Sequence, residues 1–230
     1  MQAATGLGFA LVLTPVLFAL LSAEGAIVTA TALGLVLNLL VLLGERRRPS
    51  VAWQEVAPIL AAAAPGSVCG LLLLRAVPKP GLQVCVGVAV IVSALLLRRS
   101  RTAVPKPASR ALRLALGFTT GAMTLSTGVN GPPLALWLAR RGLSAAQVRD
   151  SLSASFLGTG LIASIALAPV LQQVHAEPAL LMLATGCVVI GHTVGSRAFA
   201  RLDTDRFERL LLAVILAAGA ASIAIGASAL

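Results

Sequence analysis

The chain alternates between long apolar runs and short breaks that are charged or rich in Pro and Gly. The runs predict helices over 6–22, 25–44, 54–75, 81–98, 110–128, 131–142, 147–170, 177–197 and 207–228. Most are long enough to cross a hydrocarbon core of roughly 30 Å. The 131–142 segment is too short, and Pro132-Pro133 marks a break at its start. No soluble domain fits between the runs. The longest polar stretch, Arg98 to Arg110, is a basic linker carrying Pro105 and Pro107. A transmembrane β-barrel would alternate apolar and polar residues, and Leu71-Leu72-Leu73-Leu74 does not. The expected fold class is therefore an all-α, polytopic transmembrane protein.

Composition sharpens this. Of 230 residues, 58% are hydrophobic and only 11% charged, whereas a soluble domain carries about a quarter charged residues. So much apolar surface would leave a soluble enzyme, a secreted module or a disordered chain with sticky patches or no rationale. The net charge of +10 would suggest nucleic acid in a soluble protein. Here the basic residues cluster between apolar runs, and there is no Tyr to build a stacking platform. Nucleic acid is excluded as a partner. Cys69, Cys85 and Cys187 lie in apolar runs without metal spacing, so neither a disulfide framework nor a metal site is expected. The opening Met1-Gln2-Ala3-Ala4-Thr5 has no basic region and does not read as a secretory signal.

The chain repeats itself. Gly66-Ser-Val-Cys-Gly70 and Gly191-His-Thr-Val-Gly195 stand 125 residues apart, each followed by a basic turn and another apolar helix. Gly6-Leu-Gly8 resembles Gly128-Val-Asn-Gly131 at a similar lag. The division is a first membrane repeat at 1–98, a basic linker at 99–109 and a second repeat at 110–230. The second repeat opens with a full apolar segment, 110–128, for which the first has no counterpart ahead of Gly6. The first half is expected to lack its opening helix.

Charge tests the topology. If 110–142 crossed the membrane once, the Lys and Arg residues would divide evenly between the two sides. If 110–128 enters and 131–142 returns, sixteen of the 18 lie on one side. The positive-inside rule selects the second arrangement. Each complete half then holds five membrane elements, an odd number, which makes the halves inverted-topology repeats with broken or short helices at the Gly-rich motifs. The expected orientation is N-terminus inside and C-terminus outside.

In such repeats the site sits where broken helices meet. The main candidate is Ser126-Thr127-Gly128-Val129-Asn130-Gly131-Pro132-Pro133. Glycines let backbone approach a ligand. Free N–H groups and the positive dipole end at a helix start suit an anion. Ser126, Thr127 and Asn130 can add side-chain donors, beside Gly128, Gly131 and Pro132. The plainer alternative is a capped turn without a ligand. Gly6 and Gly8 are the matching candidates in the first half, where close helix packing is the plainer alternative. His192, inside an apolar helix, could bind an anion or relay a proton; the alternative is a hydrogen-bonded interior histidine. Asn38 reads as a helix–helix hydrogen bond, Glu55 beside Trp53 as an interfacial pair, and Arg149 as a topology-setting charge. No HExxH, GxSxG or P-loop is present. An enzyme is not expected, nor any cofactor.

The pattern resembles the TauE/SafE family of membrane permeases, the sulfite exporter family. The resemblance rests on Gly6-Leu-Gly8-Phe9 with Pro15, on Gly128-Val-Asn-Gly131-Pro132-Pro133 with Leu134 and Leu136, and on the Gly66…Gly70 and Gly191…Gly195 pair. It covers nearly the whole chain. It implies a multi-pass protein of the inner (cytoplasmic) membrane that moves a small sulfur-containing anion or organosulfur acid, such as sulfite or a sulfonate. The expected partners are that anion and the lipid bilayer, with homo-oligomerisation left open. The competing functions are a non-transporting membrane scaffold, a subunit of a larger membrane complex, and an intramembrane enzyme acting on lipid.

Overall fold

The computed structural model describes residues 9–44, 48–99, 109–171, 186–191 and 204–230, and these are helical with no strand among them. The helices are α1 (Phe9–Leu20), α2 (Ala23–Leu43), α3 (Trp53–Ala76), α4 (Lys79–Arg99), α5 (Arg110–Ser126), α6 (Gly131–Ala139), α7 (Ala145–Leu171), α8 (186–191) and α9 (Thr204–Ser228). Three of them, α2, α3 and α7, are long and apolar enough to cross a membrane. Large apolar side chains face outward along the helices, among them Leu20, Leu72 and Ile165. Such a surface suits lipid rather than water.

Local chemistry sets the boundaries. Ser22 accepts from the Gly25 N–H at 3.1 Å and starts α2. The expected 147–170 helix begins earlier, at Ala145, because Ser144 and Gln147 form a reciprocal capping box. The expected 131–142 helix ends at Ala139. A turn follows, closed by Gly142 in the left-handed region at φ +68°. At roughly 1.5 Å per residue, the nine residues of α6 reach only about 14 Å, well short of a bilayer. The expected 177–197 helix coincides with described residues only in α8.

The closest packing joins α3 to α5. A methyl group on Gly66 or Gly70 would run into the Phe118 or Ala122 carbonyl, and one on Gly117 or Gly121 into that of Ile59 or Ala63. The paired numbers rise together, so the two helices run parallel. Two GxxxG faces interlock, and the backbones approach as only small residues allow. The α4–α9 pair is antiparallel: Gly87 meets Gly219, Gly226 meets Pro80, and Ser222 donates to the Gln83 carbonyl at 2.9 Å. Helix α2 packs on α7, and α1 packs on α2, α4 and α9. The buried core joins Phe18 and Ile27 to Val86, Val90, Leu125 and Ile215.

One end of the bundle gathers charge. The Ser50 N–H donates to Asp150 at 2.8 Å and the Ala52 N–H to Ser151 at 2.9 Å. Glu55 takes Trp137 Nε1 at 3.0 Å and Arg141 Nε at 3.1 Å, and Arg113 Nε stands 3.9 Å away. Arg113 begins α5 and Arg141 follows α6, so the α5–α6 hairpin leaves from and returns to one end. That is the arrangement favoured by the charge distribution. Glu55 is buried at 8% exposure in the first turn of α3, while Trp53 beside it is exposed.

Candidate functional site

The α5–α6 turn is built to stay open. Gly128 adopts φ +67°, a conformation other residues reach only at a cost. Its carbonyl accepts a long 3.5 Å hydrogen bond from the buried Thr14 hydroxyl of α1. Asn130 is the residue ahead of α6, yet its side chain makes no capping bond. Pro132 and Pro133 carry no N–H, so the start of α6 leaves the Asn130 and Gly131 N–H groups as its orphan donors. Among the described residues, no backbone carbonyl accepts from the N–H of Gly128, Asn130 or Gly131.

A cavity of about 70 Å³ lies against this turn. Gly128, Val129, Asn130 and Gly131 line it, with Phe9 and Leu13 of α1, Thr31, Gly34 and Asn38 of α2, Thr124 of α5, and Phe156 and Gly160 of α7. Roughly 10–15 Å³ of such space holds one water, so the cavity has room for several waters or one small anion. Phe9 and Leu13 of α1 and the start of α6 therefore border the same space. The described residues lining it are uncharged.

The polar groups around it are ordered by a relay. Asn130 Nδ2 donates to Thr124 Oγ1 at 2.7 Å, and Thr124 Oγ1 donates to the Thr120 carbonyl at 2.7 Å. Asn38, 4% exposed, donates through Nδ2 to the Gly34 carbonyl of its own helix at 2.7 Å.

The sequence candidates thus divide. Gly128, Asn130 and Gly131 come together at the cavity, and Pro132 follows in the first turn of α6. Ser126 and Thr127 are buried, and their hydroxyls donate to the Ala122 and Met123 carbonyls at 2.8 and 3.0 Å. Gly6, Gly8 and His192 lie outside the described residues. Sequence reasoning passed over Thr31 and Thr124, named Phe9 only within the family resemblance, and assigned Asn38 to helix contacts. The recoverable signal was spacing: Thr31 and Asn38 are two turns apart, with Gly34 between, on one face of α2.

A sequence profile of the sulfite exporter TauE/SafE family matches residues 1–222. No curated protein and no solved structure matches the chain.

Proposed function

Since the chain belongs to the sulfite exporter TauE/SafE family of membrane transporters, we propose that it is a secondary transporter. Its cargo is a small sulfur-containing oxyanion or organosulfur acid, such as sulfite or a sulfonate. It moves that cargo across the cytoplasmic membrane, as a multi-pass protein, by alternating access. The observation that carries the reading is the cavity at the Gly128–Gly131 turn, bordered by the start of α6 and by Phe9 and Leu13 of α1. Orphan N–H groups at the positive end of α6 are the main ligands, and Asn130 is the principal side chain. Ser126 and Thr127 back the turn, and Gly6, Gly8 and His192 complete the candidate set.

The repeat organisation belongs to the same proposal: 1–98 and 110–230 are inverted halves joined by 99–109. Matching the halves in order pairs α2 with α7 and α4 with α9. Each of these pairs is in contact, and α4 and α9 run antiparallel. An in-plane two-fold axis would produce such self-pairing.

The test is saturable flux of sulfite and methanesulfonate into proteoliposomes containing the pure chain, beside Asn130→Ala. Flux lost in that variant, with helicity and thermal stability retained, supports both the transporter and the site. No flux of any small anion from well-folded protein overturns the reading and favours the scaffold.

A further inference from the structure

We propose that this cavity selects singly charged oxyanions over doubly charged ones, and prefers those that carry a hydroxyl hydrogen, such as hydrogen sulfite. The inference rests on the cavity being the substrate site.

The first ground is electrostatic. The described lining residues bring no Lys, Arg or His, and Phe9, Leu13 and Phe156 supply apolar walls. The described charges on the surrounding helices stand at the helix ends: Glu24 on α2, Arg110 and Arg113 on α5, Arg140 and Arg141 beyond α6, and Arg149 and Asp150 on α7. Arg113 lies about 16 Å along α5 from Thr124 at the usual helical rise. The cost of desolvating an ion grows with the square of its charge. What neutral dipoles return grows only in proportion to the charge. A site of N–H groups and amides can therefore hold one negative charge far more readily than two.

The second ground is the orientation of Asn130. The Thr120 carbonyl can only accept, so the Thr124 hydroxyl spends its single hydrogen there. Thr124 Oγ1 then has only lone pairs to offer Asn130. The amide therefore turns its nitrogen toward Thr124 Oγ1, 2.7 Å away. This turns Oδ1 away and leaves it, with the second amide hydrogen, for a ligand. The cavity thus presents an acceptor among its donors. A bare oxyanion oxygen beside Oδ1 is repelled, whereas a hydroxyl on the oxyanion donates to it. Thr124 is a positioning residue that decides which end of the Asn130 amide the ligand meets.

The test uses the full chain in proteoliposomes under one imposed gradient, with empty vesicles subtracted. Four anions are compared: methanesulfonate (one charge, no hydroxyl), sulfite, and the dianions sulfate and thiosulfate. Methanesulfonate and sulfite should exceed the dianions by about tenfold or more. Sulfite flux at constant total concentration should fall as pH rises through its second ionisation. The fall should follow the hydrogen sulfite fraction, while methanesulfonate, whose charge does not change over that range, keeps a level flux, which separates the effect from titration of the protein. Thr124→Val, which frees the Asn130 amide to turn, should narrow the preference for hydrogen sulfite over methanesulfonate while methanesulfonate still crosses. Sulfate or thiosulfate crossing as fast as methanesulfonate overturns the proposal and leaves the transporter reading standing. So does sulfite flux that is constant or rising with pH. Absence of flux for all four anions from folded protein overturns both.

Discussion

Arg113 and Arg141 begin and end the α5–α6 hairpin, and both reach the carboxylate of Glu55. Arg141 Nη2 stands 3.0 Å from Oε1 and Arg113 Nε 3.9 Å from Oε2. The second contact is an ion pair without a hydrogen bond. Trp137 adds its indole N–H, and the Arg141 guanidinium lies 5.2 Å from the centre of that ring. One carboxylate on α3 thus holds both ends of a hairpin whose tip carries the candidate site. The tip is closed on itself by the Asn130–Thr124 bond and meets α1 through the long Thr14–Gly128 contact.

Removing the carboxylate should loosen the hairpin. Glu55 is buried and faces two partly exposed guanidinium groups, and losing charge-assisted hydrogen bonds of this kind typically costs about 1.5–3 kcal/mol. Glu55→Ala should lower the thermal unfolding midpoint in detergent markedly, and Trp53→Ala, at an exposed ring, should not. Equal midpoints for the two variants would refute the anchoring role.

The α3–α5 contact should tolerate no side chain. Gly121→Leu forces a bulky group against the Ala63 backbone and should cost about 1–3 kcal/mol or more. Gly34→Ala, where a methyl group meets nothing within 4 Å, should leave stability unchanged. Thermal melts of both variants decide the point.

Gly142 and Gly128 separate backbone strain from crowding. Each has a positive φ, but only Gly128 has close neighbours. A methyl group added there would sit 3.0 Å from Thr14 Cγ2, whereas one on Gly142 would meet nothing within 4 Å. Gly142→Ala should cost about 1 kcal/mol in stability with flux retained. Gly128→Ala should cost more and also reduce flux. Flux assays beside melts would expose the error if the two behave alike.

The hairpin predicts sidedness. With Cys69, Cys85 and Cys187 replaced by Ser, single cysteines at Ser109 and Ser144 should be labelled from one side of the membrane. Those at Pro78 and Ala229 should be labelled from the other, since α4 begins where α9 ends. Labelling of positions 109 and 144 from opposite sides would overturn the returning α6.

The outcome for particular residues shows what could be read in advance. Hydropathy placed every described helix, because lipid exposure demands continuous apolar runs with satisfied backbones, and both are local properties. The Pro132-Pro133 break and the crowding of basic residues on one side were also enough to require a short returning helix. The capping box at Ser144 and Gln147 was legible but overlooked, so α7 began earlier than expected. The left-handed Gly142 shortened α6 in the same way.

Pairing was decided elsewhere. Gly66…Gly70 stood out in the chain, but its mate, Gly117…Gly121, acquired meaning only when α5 lay parallel to α3. Glu55 read as the neighbour of Trp53 alone, and only the fold brings Arg113, Trp137 and Arg141 to it from distant positions. Asn38 and Thr124 joined the candidate site because two helices far apart in the chain turn those faces to one cavity. That the chain is helical, membrane-embedded and broken at Gly128–Pro133 follows from each segment's own hydropathy, backbone freedom and charge, so the linear order of residues was enough to read it. Which faces meet, and which polar groups share a space, came from the folded bundle. Such contacts depend on the register between helices, and register is a property of their packing together.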